Sequence, residues 1–226
     1  KIYVKRRYEM SEICAQHYRA LKNSFITQLD SGEIIDVNNA VTCLMRLQQV
    51  LSGFLPTPES ETEFETFAND RVEQMLEIID QTEGQAVIWA RFTQDILRIE
   101  KILNETYGAG SAVTYYGGNV RDREESVERF LNKQARFFVS NPSAGGTGLN
   151  LQKSGCGTVI YFSNSFNYIT RAQSEDRTHR LGMTGAVTYF DIVADRSVDN
   201  HILKNLRGKR SVSDLTLDEI RASIVA

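Results

Sequence analysis

Gln173, Arg177 and Arg180 stand at spacings of four and three in the stretch Gln173-Ser174-Glu175-Asp176-Arg177-Thr178-His179-Arg180. On a helix turning about 100° per residue the three fall within roughly 60° of one another. Three long donors then point the same way. Two are planar guanidinium forks, which suit an anion with several oxygens, and a phosphate chain is the obvious biological one. Upstream, Ser143-Ala144-Gly145-Gly146-Thr147-Gly148 sets three glycines within four residues. They add no packing and cost backbone entropy, so they point to positive φ angles or to close backbone approach. A plainer reading of the helix stands beside this one: a solvated face on which Glu175 and Asp176 pair with Arg171, His179 or Arg180.

The elements around this stretch are legible as a pattern. From Gln85 onward, short apolar runs alternate with helical segments: Ala86 to Ala90, Ala112 to Tyr115, Phe137 to Val139, Val159 to Phe162 and Val187 to Ile192. Helices are expected between them over Thr93 to Thr106, Asp122 to Leu131, Tyr168 to Arg180 and Val198 to Leu206. Such alternation implies an α/β fold, a parallel sheet covered on both faces, with ligands at the carboxyl ends of the strands. The glycine loop and Arg91-Phe92 lie at such ends. Before Gln85 the chain reads as helical, with a short strand over Lys1 to Arg7 and helices over Met10 to Leu29, Val37 to Leu51 and Arg71 to Gln81. Leu55 to Asn69, with Pro56, Pro58 and an acidic run, reads as a mobile loop. One further short helix is expected in the tail.

Composition bounds the function classes. The chain has 226 residues, 41% hydrophobic and 24% charged, an ordinary globular balance. No apolar run approaches a membrane span and no export signal is visible, so an intracellular protein, cytoplasmic or nuclear, with no membrane partner is expected. Cys14, Cys43 and Cys156 are too scattered for a disulfide framework or zinc site and read as buried small hydrophobes. The net charge of −3 confines any nucleic-acid surface to a local patch.

Four segments also resemble a known family. Ala144-Gly145-Gly146-Thr147-Gly148-Leu149-Asn150-Leu151 resembles motif V of Swi/Snf-type superfamily 2 helicases, and Gln173 to Gly182 resembles their motif VI, at ungapped spacing. Gln85 to Leu103 is similar to motif IV. Tyr116-Gly117-Gly118, with Arg121, Arg123, Glu124 and Arg129-Phe130, is similar to the segment that follows it. The resemblance spans residues 85 to 206 and implies the second RecA-like lobe of an ATP-driven, double-stranded-DNA translocase. It further implies a helical segment over 1–82, the lobe over 83–210 and a tail over 211–226. Arg177 and Arg180 become candidate arginine fingers, with Gln173, Gly146 and Gly148 beside ATP. Arg91, Phe92, Gly117, Gly118, Asn141, Gly145, Thr147 and Phe166 become candidate DNA contacts, made mostly to phosphates. Two departures stand out: Phe166-Asn167-Tyr168 replaces a Trp-Asn-Pro triplet and loses the indole N–H. Asn141-Pro142 replaces Ser-Thr, and Pro142 removes a backbone donor.

Such an ATPase also needs a phosphate loop with a lysine and a carboxylate on magnesium. The nearest segment, Gly148 to Ser154, has Gln152 where glycine is required before Lys153. ATP and Mg2+ would therefore be held mainly by an amino-terminal RecA-like lobe of the same protein, and the chain alone should hydrolyse almost nothing. A scaffold or non-catalytic nucleic-acid-binding module with the same fold is the rival reading. A dinucleotide-dependent oxidoreductase is excluded, because the third glycine of its fingerprint and the acidic residue about 20 positions on are missing.

Overall fold

Ala86–Trp89, Phe137–Ser140 and Thr158–Tyr161 are buried at every residue. Strands covered on both faces need this, and it is why each reads as an unbroken apolar run instead of an alternation. The structure, a computed structural model, describes residues 1–30, 37–57, 60–144, 149–179 and 185–225, with backbone alone at 30 and 60–62. In chain order the elements are β1 (Ile2–Tyr8), α1 (Glu12–Asp30), α2 (Val37–Leu51), β2 (Phe54–Thr57), β3 (Ser60–Thr66) and α3 (Asp70–Asp80). Then come β4 (Ala86–Trp89), α4 (Thr93–Tyr107), β5 (Ala112–Tyr115), α5 (Arg123–Leu131), β6 (Phe137–Ser140) and β7 (Thr158–Tyr161). The chain closes with α6 (Tyr168–Thr178), β8 (Thr188–Ala194), α7 (Val198–Arg207) and α8 (Leu217–Val225).

Six strands form one sheet in the order β1-β8-β7-β4-β6-β5. Strand pairs β4–β6, β4–β7, β5–β6 and β7–β8 are all parallel. The register sets Trp89 opposite both Ser140 and Tyr161, and Tyr115 opposite Ser140. Four strands therefore end at one level, and the loops after them leave from a common edge.

Two compact units are distinguished, residues 1–6 with 74–192 and residues 7–73 with 193–226. In the first, one continuous core joins Val87, Trp89, Phe130, Phe138, Leu151, Tyr161 and Tyr189, among others. Helix α4 buries Ile96, Ile99 and Leu103 at helical spacing and stops at Gly108, whose φ of 104° suits only glycine.

The second unit is built on α1, α2, α7 and α8. Its buried polar centre is Arg71, 1% exposed, whose guanidinium donates to Asp199 Oδ2 at 2.6 Å and to the Tyr8 hydroxyl at 3.2 Å. The Tyr18 hydroxyl accepts from the Val198 N–H at 2.9 Å. In place of the loop expected over 55–69, β2 and β3 pair antiparallel, with Phe54 opposite Thr66 and Pro56 opposite Phe64. The physical reason is a period of two. Glu63 and Glu65 are exposed, while Phe64 sets its ring edge-on to buried Phe54 at 5.4 Å. Pro56 is tolerated because a two-stranded ladder leaves one side of each strand without a partner strand.

Cys14, Cys43 and Cys156 are free and buried, and burial pushes each thiol up to about 11. At pH 8 the native protein should react with an aromatic disulfide reagent far more slowly than an exposed thiol with its pKa near 8.5 would. Denaturant should then release all three. Rapid labelling of the native protein would contradict the burial.

Candidate functional site at one edge of the sheet

Beyond the common level of Trp89, Tyr115, Ser140 and Tyr161, the chain turns through Arg91-Phe92, Gly117-Gly118, Asn141 to Ala144 and Ser163 to Asn167. Hydrogen bonds stitch the first, third and fourth of these turns together. The Arg91 peptide is gripped from both sides: its N–H donates to Ser163 Oγ at 2.8 Å, and its carbonyl accepts from Asn141 Nδ2 at 2.5 Å. Asn141 Oδ1 accepts from the Ser143 N–H at 2.8 Å. Both ends of the Asn141 side chain thus work within the loops, positioning Arg91. The Arg91 guanidinium lies 5.3 Å over the Phe92 ring, half-buried, and burial lowers its pKa to about 10. It stays charged at neutral pH.

The turn after β5 is rigid for its own reasons. Asn119 accepts from the Tyr116 N–H at 2.9 Å and donates to the Thr114 carbonyl at 2.7 Å. Arg123 donates twice to the Tyr116 carbonyl, at 2.9 and 2.6 Å. Gly117 and Gly118 are exposed between these anchors. A Cβ at Gly118 would sit 2.6 Å from the Tyr116 ring, whereas one at Gly117 would meet nothing. Phe166, 7% exposed, shows almost no ring surface.

Helix α6 is two-sided. Asn167 caps it, accepting from the Thr170 N–H at 3.0 Å. Arg171, Ser174, Glu175 and Thr178 are buried at spacings of three, four and seven from the first. Arg171 donates to Asp191 Oδ1 at 2.5 Å, to Asn164 Oδ1 at 2.7 Å and to Glu175 Oε1 at 2.9 Å, and it stacks 3.4 Å from the Tyr161 ring centre. Burial opposes its charge, but Tyr161, Asp191 and Glu175 outweigh that, and its pKa rises above the ordinary guanidinium value. Glu175 also accepts from the Tyr3 hydroxyl at 2.6 Å and from Lys1 at 3.1 Å. Ser174 bonds the Tyr161 hydroxyl at 2.6 Å, and Thr178 bonds the Tyr189 hydroxyl at 3.2 Å.

The ion-pair reading therefore describes the buried side of α6, and Asp176 adds a pair with Lys1 at 3.7 Å. Gln173 is exposed and Arg177 half-buried on the other side. The helix descends from the strand-end edge, since Arg171 meets Asp191 and Thr178 meets Tyr189, two residues earlier on β8. Arg177 and the Arg91 loop thus occupy different places on this unit. Arg180, Gly145, Gly146, Thr147 and Gly148 lie outside the described residues.

Sequence reasoning missed Arg171, Asn164, Ser163 and Asp191 as functional supports. The one signal for them was a charged residue, Asp191, inside the apolar run of β8. Among the described residues no group of three His, Cys, Asp or Glu is placed to hold a metal ion. Long donors on the far side of an anchored helix are of a kind that suits an anion with several oxygens. No described helix is long and apolar enough to cross a membrane.

Comparison with known proteins agrees with this fold. The helicase conserved C-terminal domain family matches residues 68–182, just over half of the chain. Helicase SWR1 of Kluyveromyces lactis is 28% identical over 174 residues, covering 76% of this chain and 11% of that protein. The chain spans only 3–11% of the length of the curated relatives it matches first. The crystal structure of the C-terminal part of the Fun30 ATPase domain covers 100% of this chain and 96% of its own, with TM-score 0.71 and 18% identity. The Sulfolobus solfataricus SWI2/SNF2 ATPase core in complex with double-stranded DNA covers 97% of this chain and 49% of its own, with TM-score 0.75 and 19% identity. At these identities the structural likeness speaks for the fold.

Proposed function

Because the chain belongs to the helicase conserved C-terminal domain family, as a carboxyl lobe of the Swi/Snf type, we propose that it is the second motor lobe of an ATP-driven double-stranded-DNA translocase. The observation that carries this reading is the two-sided α6. One side is locked into the core by Arg171 and Glu175, and the other carries exposed Gln173 and half-buried Arg177. A helix anchored in this way holds donors where charge develops, with little reorganisation at the moment of reaction.

ATP with Mg2+, held mainly by an amino-terminal lobe, supplies the phosphoryl group whose transfer drives the motor. In this chain Arg177 and Arg180 neutralise charge on that group, and Gln173 reaches the same phosphate end. Gly146 and Gly148 offer backbone N–H groups. The loops at the strand ends grip DNA phosphates through Arg91, the Gly117-Gly118 turn and the backbone near Gly145 and Thr147. Phe92 supports the Arg91 guanidinium, and Asn141 acts by positioning Arg91. A double-stranded-DNA partner is supported by the Sulfolobus core, whose structure is a complex with it. The three free buried thiols fit a reducing, intracellular compartment.

The isolated lobe tests this reading. It should show no ATP turnover and only weak DNA affinity. Each phosphate contact adds about 0.9 to the slope of log affinity against log salt, so a slope below about 4 is expected. Fluorescence anisotropy on a labelled duplex at several salt concentrations measures it. Turnover by the lobe alone, or DNA binding indifferent to salt, would refute the assignment.

A further inference from the structure

Ser163 and Asn164 are neighbours just past β7, and each holds a different part of the site. Ser163, 1% exposed, accepts the Arg91 N–H at 2.8 Å, and its hydroxyl donates toward Asp95 Oδ2 at 3.4 Å. Asn164, 8% exposed, accepts from Arg171 at 2.7 Å and donates to Asp191 Oδ1 at 2.9 Å. One residue therefore grips the loop that carries Arg91. The next grips the buried anchor of the helix that carries Arg177. Neither has the surface to touch DNA or nucleotide itself.

We propose that Ser163-Asn164 is a positioning pair that couples contact at the Arg91 loop to the placement of Arg177. The inference rests on the reading of the lobe given above. A load on the Arg91 peptide passes through its N–H to Ser163, through one peptide bond to Asn164, and through Asn164 Oδ1 to the Arg171 guanidinium. Side chains packed at crystal-like density transmit such a shift instead of absorbing it. Arg171 is tied to Glu175 one turn further along α6, so a change in the seat of its guanidinium changes where the helix is held. Arg177 lies six residues, about 9 Å, further along that helix. The two sites are distinct, and the link between them is short and buried.

The test uses the intact protein that carries both lobes. Duplex DNA should stimulate wild-type ATP turnover, and Ser163→Ala should reduce that stimulation at least about five-fold, the low end of ordinary coupling between sites. Turnover without DNA should be unchanged, and the loss of stimulation should persist at saturating DNA. The effect of a non-hydrolysable ATP analogue on DNA affinity should shrink as well, and by reciprocity the effect of DNA on the affinity of that analogue should shrink by an equal factor. Ser163→Thr, which keeps the hydroxyl, should retain the stimulation. Asn141→Ala, which frees the Arg91 carbonyl instead, should weaken DNA affinity but spare stimulation at saturating DNA.

If Ser163→Ala lacks a cooperative melt, Asn164→Ala, which removes the Oδ1 that accepts from Arg171, cuts the link from the other side, and the same loss is expected. Full stimulation in a folded Ser163→Ala protein overturns the proposal. So does a loss fully explained by weaker DNA binding, or an equal loss in Ser163→Thr. Absence of DNA stimulation in the wild type would instead remove the proposed function itself. Dead Arg177→Ala beside a normal Ser163→Ala leaves that function standing and removes only the link.

Discussion

Arg177→Ala in the intact protein should lower ATP turnover at least about 100-fold, a conservative share of the ~10³–10⁵ that an arginine finger contributes. The loss should fall on turnover more than on ATP binding, because a finger acts on charge that develops in the transition state. Folding should be nearly unaffected, since the residues that lock α6 are Arg171, Ser174, Glu175 and Thr178. Arg177→Lys should recover little, because an ammonium cannot span two phosphate oxygens as a planar fork does. Arg180→Ala should behave alike. Asp176→Asn is the control, since Asp176 is 68% exposed and its pair with Lys1 is long, 3.7 Å. Steady-state ATPase assays at saturating DNA read all four variants. Turnover within ten-fold of wild type in Arg177→Ala, or an equal loss in Asp176→Asn, would remove Arg177 from the phosphate.

Arg171→Ala should fail in a different way, by unfolding. It takes the guanidinium away from Asp191, 1% exposed, in a buried site, while Glu175 keeps Lys1 and Tyr3. Removing one partner of a buried ion pair costs about 3–5 kcal/mol. In a domain of this size that is a drop of roughly 6–20 °C in melting temperature. Asp191→Ala should cost a similar amount. Replacing Arg171 and Asp191 together by apolar residues of matching volume should recover much of it, because no charge is then left buried alone. Denaturant titration followed by circular dichroism measures each variant. A loss below about 1 kcal/mol in Arg171→Ala would place the cluster with ordinary surface pairs.

The same cluster sets an acid response. Burial would raise the Glu175 carboxyl. The Tyr3 hydroxyl, the Arg171 charge and hydrogen bond, and Lys1 together outweigh burial and hold it below the usual range. A carboxyl depressed in the folded state contributes stability that is fully present above its unfolded value, about 4.3, and is lost as pH falls through the folded one. Wild type should therefore lose stability on acidification below about pH 4, and Glu175→Gln should lose less over that window.

The local pattern of this chain was legible before any coordinates, because local physics wrote it. Strands buried on both faces must be apolar throughout, so β4, β6 and β7 appeared as runs with boundaries within a residue or two. Helices with one buried side must repeat every three or four residues, so Val37–Leu51 was read to its ends. Three cysteines without metal or disulfide spacing had to be inert, and they are buried. The β2–β3 hairpin was misread for a local reason too. Pro56 and a run of glutamates outweighed a period of two that was already present.

What the tertiary structure alone decided depends on pairs far apart in the chain. Arg171 had several candidate partners along its own helix. Only the adjacency of β7 and β8 brought Asp191 to it and turned one side of α6 inward. Arg71 and Asp199 pair across 128 positions, a meeting that no window of sequence contains. Asn141 is an amide fit to touch phosphate in any linear reading. Strand order placed it beside the Arg91 carbonyl, and there it serves the loop. A charged or amide side chain takes its role from whatever the fold sets within 3 Å of it, and residue type and spacing leave that open.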